Sequence, residues 1–353
     1  NMNSCQRIYG KSMEIAGNAY IVGIQLLSQI KWIRTPRNNS EILGQGQFRF
    51  RINRRWFKEN PTDFPVKNCH EMVIDRQQRL YLLTDHPNNN VIVISLDGEV
   101  LNSWTLNSTG AHGLTIAQDK DGECLWICDP YNPRVIKASL DGRLLGILPN
   151  PYDIGEYTAT MPYAPTQTAV SSDGDIYVAD GYGSQYVLQF DAQGNFIRRF
   201  GGKGHAPWNL NFAHGIAIDT RTPSHPLLLV TSRKDCCIKR FTLDGQYLDR
   251  INLLGGYPCR PVIHGDHLFV SLCWSGSHLR PNSGFLVVLD KNNQVCETLG
   301  GTAELDSDGN LVSLESDYAC FCHVHDVCVD SMGNLYVCQW NAGKIPPYRL
   351  EKI

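Results

Sequence analysis

From residue 70 to its end the chain runs through one short pattern six times. Each copy is an apolar strand ending in Asp, a polar turn, a second strand, a loop, a third strand, then a hairpin into a fourth. Met72-Val73-Ile74-Asp75, residues 79–83, residues 91–95, Leu96-Asp97-Gly98 and residues 100–106 make one copy. The hairpin returns as Leu140-Asp141-Gly142, Asp191-Ala192-Gln193-Gly194, Leu243-Asp244-Gly245 and Leu289-Asp290-Lys291-Asn292. Asp-Gly provides the positive-φ residues that two-residue hairpins need. Helical periodicity is nearly absent after residue 60. Short strands at even spacing cannot bury their faces singly, so the copies must stack. The spacing predicts an all-β chain folded as a six-bladed β-propeller.

Aligning the first strands gives equivalent starts at His70, His112, Thr166, His214, Arg260 and His325, 42 to 65 residues apart. The long intervals hold insertions near 150–165 and 303–320. The last copy has only three obvious strands, whereas the strand at 48–52 has no copy of its own. We therefore expect this N-terminal strand to complete the last blade, closing the ring and leaving no long edge to pair with other chains. Residues 1–42 read as an extension and 43–353 as the propeller.

Three of the starts are histidines on alternate blades. Ala-His-Gly-Leu (111–114), Ala-His-Gly-Ile (213–216) and Val-His-Asp-Val (324–327) carry His112, His214 and His325. Alternate blades of a six-fold ring lie 120° apart, so three imidazoles on innermost strands converge on one point. Three neutral imidazoles with an open fourth position are a common way to hold catalytic zinc. A lone His-Gly at a strand start is more often structural, but a repeat consensus would put His in every blade. His70, on blade one, reads as a fourth ligand, a neighbour of the ligands or a structural copy. His323 competes with His325, since alternation points residues two apart the same way. The alignment favours His325.

The composition bears on partners. Net charge is −3, pI near 6.4, and 19% of residues are charged, so no basic excess draws nucleic acid or anionic lipid. The apolar runs fall far short of the ~20 residues of a membrane span. Thirteen cysteines, an odd number without Cys-x-x-Cys and with Cys236 and Cys237 adjacent, make a poor disulfide framework. They tilt the expectation toward a reducing, cytoplasmic compartment. Cys69, Cys259 and Cys322 stand near strand starts; buried inert thiols are the simpler reading. A monomer acting on a small-molecule or peptide substrate is the expectation.

These motifs, with Val-Ala-Asp-Gly-Tyr-Gly-Ser at 178–184, Val187-Leu188-Gln189-Phe190 and Val230-Thr231-Ser232-Arg233-Lys234-Asp235, resemble peptidyl-α-hydroxyglycine α-amidating lyase and its bacterial NHL-repeat relatives. The similarity covers residues 43–353. It implies an NHL-like propeller in which His112, His214 and His325 bind zinc. Tyr182 becomes the catalytic tyrosine and Arg233 the arginine after the fourth-blade strand. Asp326, with the main-chain carbonyls of Met72 and Leu114, becomes a structural calcium site of the hard-oxygen kind. The implied reaction splits a carbinolamide, N–CH(OH)–COO⁻, into an amide and glyoxylate. Tyr182 would act as base, its pKa lowered by Arg233 or zinc.

Two departures stand out. Where the family has an arginine after the second strand of blade one, this chain has Leu83-Thr84-Asp85-His86. Where the lyase has a disulfide cysteine, it has Gly183. Arg260, at the fifth start, is expected to reach the same mouth and replace the lost arginine, as guanidinium pairs well with carboxylate. His70, Asp85 and His86 are expected to line the substrate pocket. Two other readings remain: a non-catalytic NHL propeller that binds protein or RNA, for which the basic cluster Arg49, Arg51, Arg54, Arg55 and Lys58 is only local, and a calcium-dependent propeller hydrolase.

Overall fold

The structure, a computed structural model, describes residues 41–276, 280, 282–317 and 320–353. It is a six-bladed β-propeller. Blade one comprises Cys69–Ile74, Leu80–Thr84, Val91–Ile94 and Val100–Trp104; blade two comprises Gly113–Asp119, Gly122–Asp129, Arg134–Ser139 and Leu144–Ile147. Blade three runs from Gln167–Val170 to Phe196–Gly201, blade four from Ala213–Asp219 to Tyr247–Asn252, and blade five from Gly256–His264 to Val295–Leu299. Blade six begins with Val324–Val329, Leu335–Gln339 and Tyr348–Lys352. Phe50–Asn53 then pairs antiparallel with its third strand, Ile52 opposite Leu350, and Ile42–Leu43 adds a short outer strand. The ring closes as the repeat count requires. The predicted extension lies outside the described residues apart from its last two, 41 and 42.

The two middle strands of each blade pack against neighbours on both faces. Leu80–Thr84 and Val91–Ile94 are accordingly buried along their whole length. This is why they read as continuous apolar runs rather than alternating ones. Each buried Val, Leu or Ile contributes ~1.5–3 kcal/mol. The cores lie between blades: Tyr336 and Cys338 of blade six pack with Leu80, Leu82 and Ile92 of blade one, and Trp126 and Cys128 of blade two with Val178 and Leu188 of blade three. Asp ends the first strand for a local reason. Asp75 accepts from the amides of Gln77 and Arg79 and from the Tyr81 hydroxyl. Asp330 repeats this with Met332, Asn334 and Tyr336. The hairpin glycines take positive φ, 89° at Gly98, 92° at Gly142 and 88° at Gly245.

The longest interval is explained by an extra hairpin, Gly301–Leu305 with Leu311–Ser316, between blades five and six. The fifth innermost strand begins at Gly256, earlier than the aligned Arg260. Its register slips twice, around Pro258 and Pro261, where a missing N–H interrupts the ladder.

Candidate active site

Three of the histidines sit where a strand is bulged. Register shifts fall between Cys69 and Glu71, between Ala213 and Ile216, and between Val324 and Asp326. A bulge re-aims a side chain out of the alternating pattern, and here it re-aims His70, His214 and His325. His112 precedes its strand and is tied to the next one, Gly122–Asp129, by its own N–H, which donates to the Cys128 carbonyl at 2.9 Å. The following glycines serve close packing. A Cβ on Gly113 would lie 2.2 Å from the Thr166 carbonyl oxygen, and one on Gly215 2.6 Å from the Arg260 backbone. Blade six has Asp326 at that position, with its carboxylate in the channel.

The four rings form one cluster. Centroids lie 4.7 Å apart for His112–His214, 4.8 Å for His214–His325, and 5.0 Å for His112–His325, His70–His112 and His70–His325. The Nδ1 atoms of His112 and His325 each meet a carbonyl oxygen, that of Thr166 at 2.9 Å and that of His70 at 2.7 Å. A carbonyl only accepts, so each Nδ1 carries the proton and each Nε2 presents a bare lone pair. His112 Nε2 lies 3.1 Å from His214 Nε2, and His214 Nδ1 has no hydrogen-bond partner among the described residues. Burial holds all three imidazoles well below their ordinary pKa of 6.5, helped by Arg233 and by one another. Neutral imidazoles whose tautomer is fixed by a carbonyl are what a zinc site requires. The ligand atoms that lie within 4.8 Å of one another form two groups, His70 with His112 and His325, and His214 with Cys259 and His325, so the cluster offers donors for a transition metal although the expected trio is not itself one of these groups.

His70 lies with Nε2 3.3 Å from Asp85 Oδ2, and neither ring nitrogen makes a well-aligned hydrogen bond. Burial raises the Asp85 pKa, but the facing His70 and the bonds from Asn68 prevail and hold it below the usual carboxylate range. Asn68 donates twice to it, at 2.9 and 2.8 Å. His86 is not brought to the cluster: its Nδ1 accepts from Asn88 within its own turn.

The Tyr182 hydroxyl is 3.0 Å from His112 Nε2, and its ring packs on Phe212. Burial raises its pKa and the opposing pull of Arg233 is smaller, so without a metal Tyr182 is a neutral phenol that donates to His112. Arg233 is buried, held by the Pro258 carbonyl at 3.3 Å and Cys259 Sγ at 2.9 Å. Among the described residues it has no carboxylate within ion-pair distance. Cys259 is the residue that sequence reasoning set aside. It touches Arg233 and reaches the His214–His325 side of the cluster. With Cys273 it forms a pair whose first proton leaves more easily than from an isolated buried thiol, because one thiol donates to the other beside Arg233. Only its neighbour's register, Arg260, hinted at this.

Two expectations are corrected. Arg260 does not stand free for a substrate. Its Nε and Nη2 donate to Asp326 at 3.1 and 2.6 Å, and Nη1 and Nη2 to the carbonyls of Leu114 and Met72 at 2.9 and 3.0 Å. Those oxygens are the ones assigned to calcium, so the residues present do not fit a calcium ion. His323, the competitor that the alignment passed over for His325, does not face the cluster. It takes φ 51°, which breaks alternation, and both its nitrogens are engaged, by the Trp340 carbonyl at 3.0 Å and the Asn282 amide at 2.9 Å.

No family model matches the chain. It is 24% identical over 179 residues to NHL repeat-containing protein 3 of Mus musculus, covering 48% of this chain and 51% of that one. It is 32% identical over 146 residues to a probable peptidyl-α-hydroxyglycine α-amidating lyase of Caenorhabditis elegans, covering 37% of this chain and 41% of the lyase. The chain thus spans about half or less of the curated relatives it matches. Among solved structures, virginiamycin B lyase from Staphylococcus aureus superposes with TM-score 0.55 at 12% identity, over 86% of this chain and all of that one. A gluconolactonase from Xanthomonas campestris gives 0.56 at 15%, over 90% and 99%. These likenesses share the propeller fold.

Proposed function

We propose that the histidine cluster is the centre of a zinc-dependent carbon–nitrogen lyase that acts on a small hydroxylated, carboxylate-bearing substrate of the carbinolamide kind. One observation carries the reading: the Nε2 atoms of His112 and His325 are left as acceptors by carbonyl bonds at Nδ1, and His112 Nε2 lies 3.1 Å from His214 Nε2 and 3.0 Å from the Tyr182 hydroxyl. His112, His214 and His325 would hold the metal, whose chemistry when bound is to lower the pKa of a coordinated hydroxyl and stabilise charge on its oxygen. Arg233, buried and without a carboxylate of its own among the described residues, binds the substrate carboxylate. His70, backed by Asp85 at 3.3 Å, accepts the hydroxyl proton, and Asp85 steadies the imidazolium that results. The C–N bond breaks with its electron pair on nitrogen, and Tyr182, a protonated phenol at rest, hands that nitrogen a proton. The products are an amide and glyoxylate. The resemblance to an amidating lyase over 146 residues supports the reaction class.

The missing blade-one arginine favours a second reading: a metal-bearing propeller of the same kind with a changed substrate. Both are tested by incubating zinc-loaded protein with α-hydroxyglycine-capped peptides and small α-hydroxy-amide acids and measuring glyoxylate. Release that is abolished in His214→Ala supports the lyase. Absence of glyoxylate from every substrate, with zinc bound, rejects it.

A further inference from the structure

We propose that Arg260 is a built-in cation. Its guanidinium occupies an oxygen cage that would otherwise take a divalent ion, so this ring is tied across its channel without calcium. The inference stands apart from the lyase reading, because it concerns the residues next along the strands from the histidines.

The cage is assembled from four blades. Asp326 of blade six offers both carboxylate oxygens, Met72 of blade one and Leu114 of blade two each offer a carbonyl, and Arg260 comes from blade five. Glu71 Oε2 is 4.0 Å from Arg260 Nη1, its own bonds going to the Leu114 amide and Gln167 Nε2, each at 2.6 Å. Met72 N donates to Asp326 Oδ2 at 2.8 Å, so the backbone that gives one carbonyl to the arginine also holds its counter-ion. Four oxygens converge on one buried point, and all four accept from the same planar donor. Charge-assisted bonds of this kind are about twice as strong as neutral ones.

Calcium wants six to eight oxygen ligands at ~2.3–2.6 Å. To enter here it would have to take the same oxygens and displace the buried guanidinium that they hold. The two cations are therefore alternatives. The difference from a metal-held ring is physical: a covalently attached cation cannot be stripped by a chelator, and its contribution does not depend on ion concentration.

The test uses the full chain and its thermal unfolding midpoint in about 1 mM calcium, the weak end of protein sites, and in EGTA. Wild type is expected to melt at the same temperature in both, and to bind no calcium by equilibrium dialysis with the ion alone. Arg260→Ala leaves Asp326, Glu71 and the two carbonyls around a hole. It should melt lower, and calcium should restore several degrees that EGTA removes. A wild-type midpoint that rises with calcium or falls with EGTA overturns the proposal. So does an Arg260→Ala protein that folds and ignores calcium. Should Arg260→Ala fail to fold, the wild-type comparison decides alone. Zinc content of the same samples is read separately, so loss of the histidine site is not mistaken for loss of this one.

Discussion

Two successive layers of one channel are built from consecutive residues and behave in opposite ways. His70 and His325 belong to the upper layer; Glu71, Met72 and Asp326, their immediate neighbours, belong to the lower. In the lower layer the Arg260 donors that reach the cage and the oxygens facing them are matched. In the upper layer the pairing is incomplete: among the described residues His70 Nδ1 and His214 Nδ1 have no hydrogen-bond partner, while His112 Nε2 meets the Tyr182 hydroxyl and His70 Nε2 lies 3.3 Å from Asp85. Buried polar groups left unmatched are costly, so a fold retains them where something else satisfies them. The lower layer pairs its arginine with its cage and holds the ring, although Glu71 Oε1 has no partner among the described residues; the histidine layer awaits a ligand.

The comparison can be broken from either side. The largest expected effect is on turnover. Tyr182→Phe removes the proton donor and should lower kcat by ~10²–10⁴ while zinc stays bound, measured by glyoxylate release. Loss of zinc in that variant would make Tyr182 part of the metal site instead. Next comes the lower layer. Asp326→Asn leaves a buried Arg260 facing only Glu71, 4.0 Å away and with a pKa that burial raises to about 8, and breaking a buried pair costs ~3–5 kcal/mol. Denaturant unfolding should show that loss with zinc content unchanged. A variant as stable as wild type would mean the layer does not tie the blades.

A smaller effect is expected at the substrate arginine. Arg233→Met removes a charged hydrogen bond worth ~1.5–3 kcal/mol, so KM for a carboxylate-bearing substrate should rise about 10- to 100-fold, and far less for the corresponding amide. Equal rises for both would remove Arg233 from carboxylate binding. The smallest effect is a slope. His112, His214 and His325 are held below 6.5 in the folded protein by burial, with neighbouring charges adding to it. Below 6.5 the unfolded chain takes up protons that the folded one refuses. Stability of the metal-free protein should therefore be full above that value and fall as pH drops below it. His214→Gln should flatten the slope; an unchanged slope would mean that His214 is not part of it.

The repeat was legible because each copy carries a local instruction. Asp75 and Asp330 close the same turn, and Gly98, Gly142 and Gly245 the same hairpin. The convergence of His112, His214 and His325 followed from spacing alone, since alternate blades of a closed ring face one centre. What spacing could not give was local backbone. His323 was expected to compete with His325, but its φ of 51° takes it out of the strand and turns its ring toward Trp340. Proline at 258 and 261 moved the fifth strand start in the same way. Arg260 marks another kind of limit. Its position told that it reached the channel, but only the placement of Met72, Leu114 and Asp326 told that it would be fully bonded there. The raised pKa of Tyr182 is likewise a result of burial, which no motif encodes.

The central claim is that one layer takes a metal and the next does not. Elemental analysis of the purified full-length protein, after dialysis against zinc and calcium together, tests both halves at once. The account predicts about one zinc per chain and no calcium, with zinc lost in His214→Ala while the ring stays folded by circular dichroism. A chain with calcium bound, or one in which His214→Ala keeps its full zinc, would contradict it.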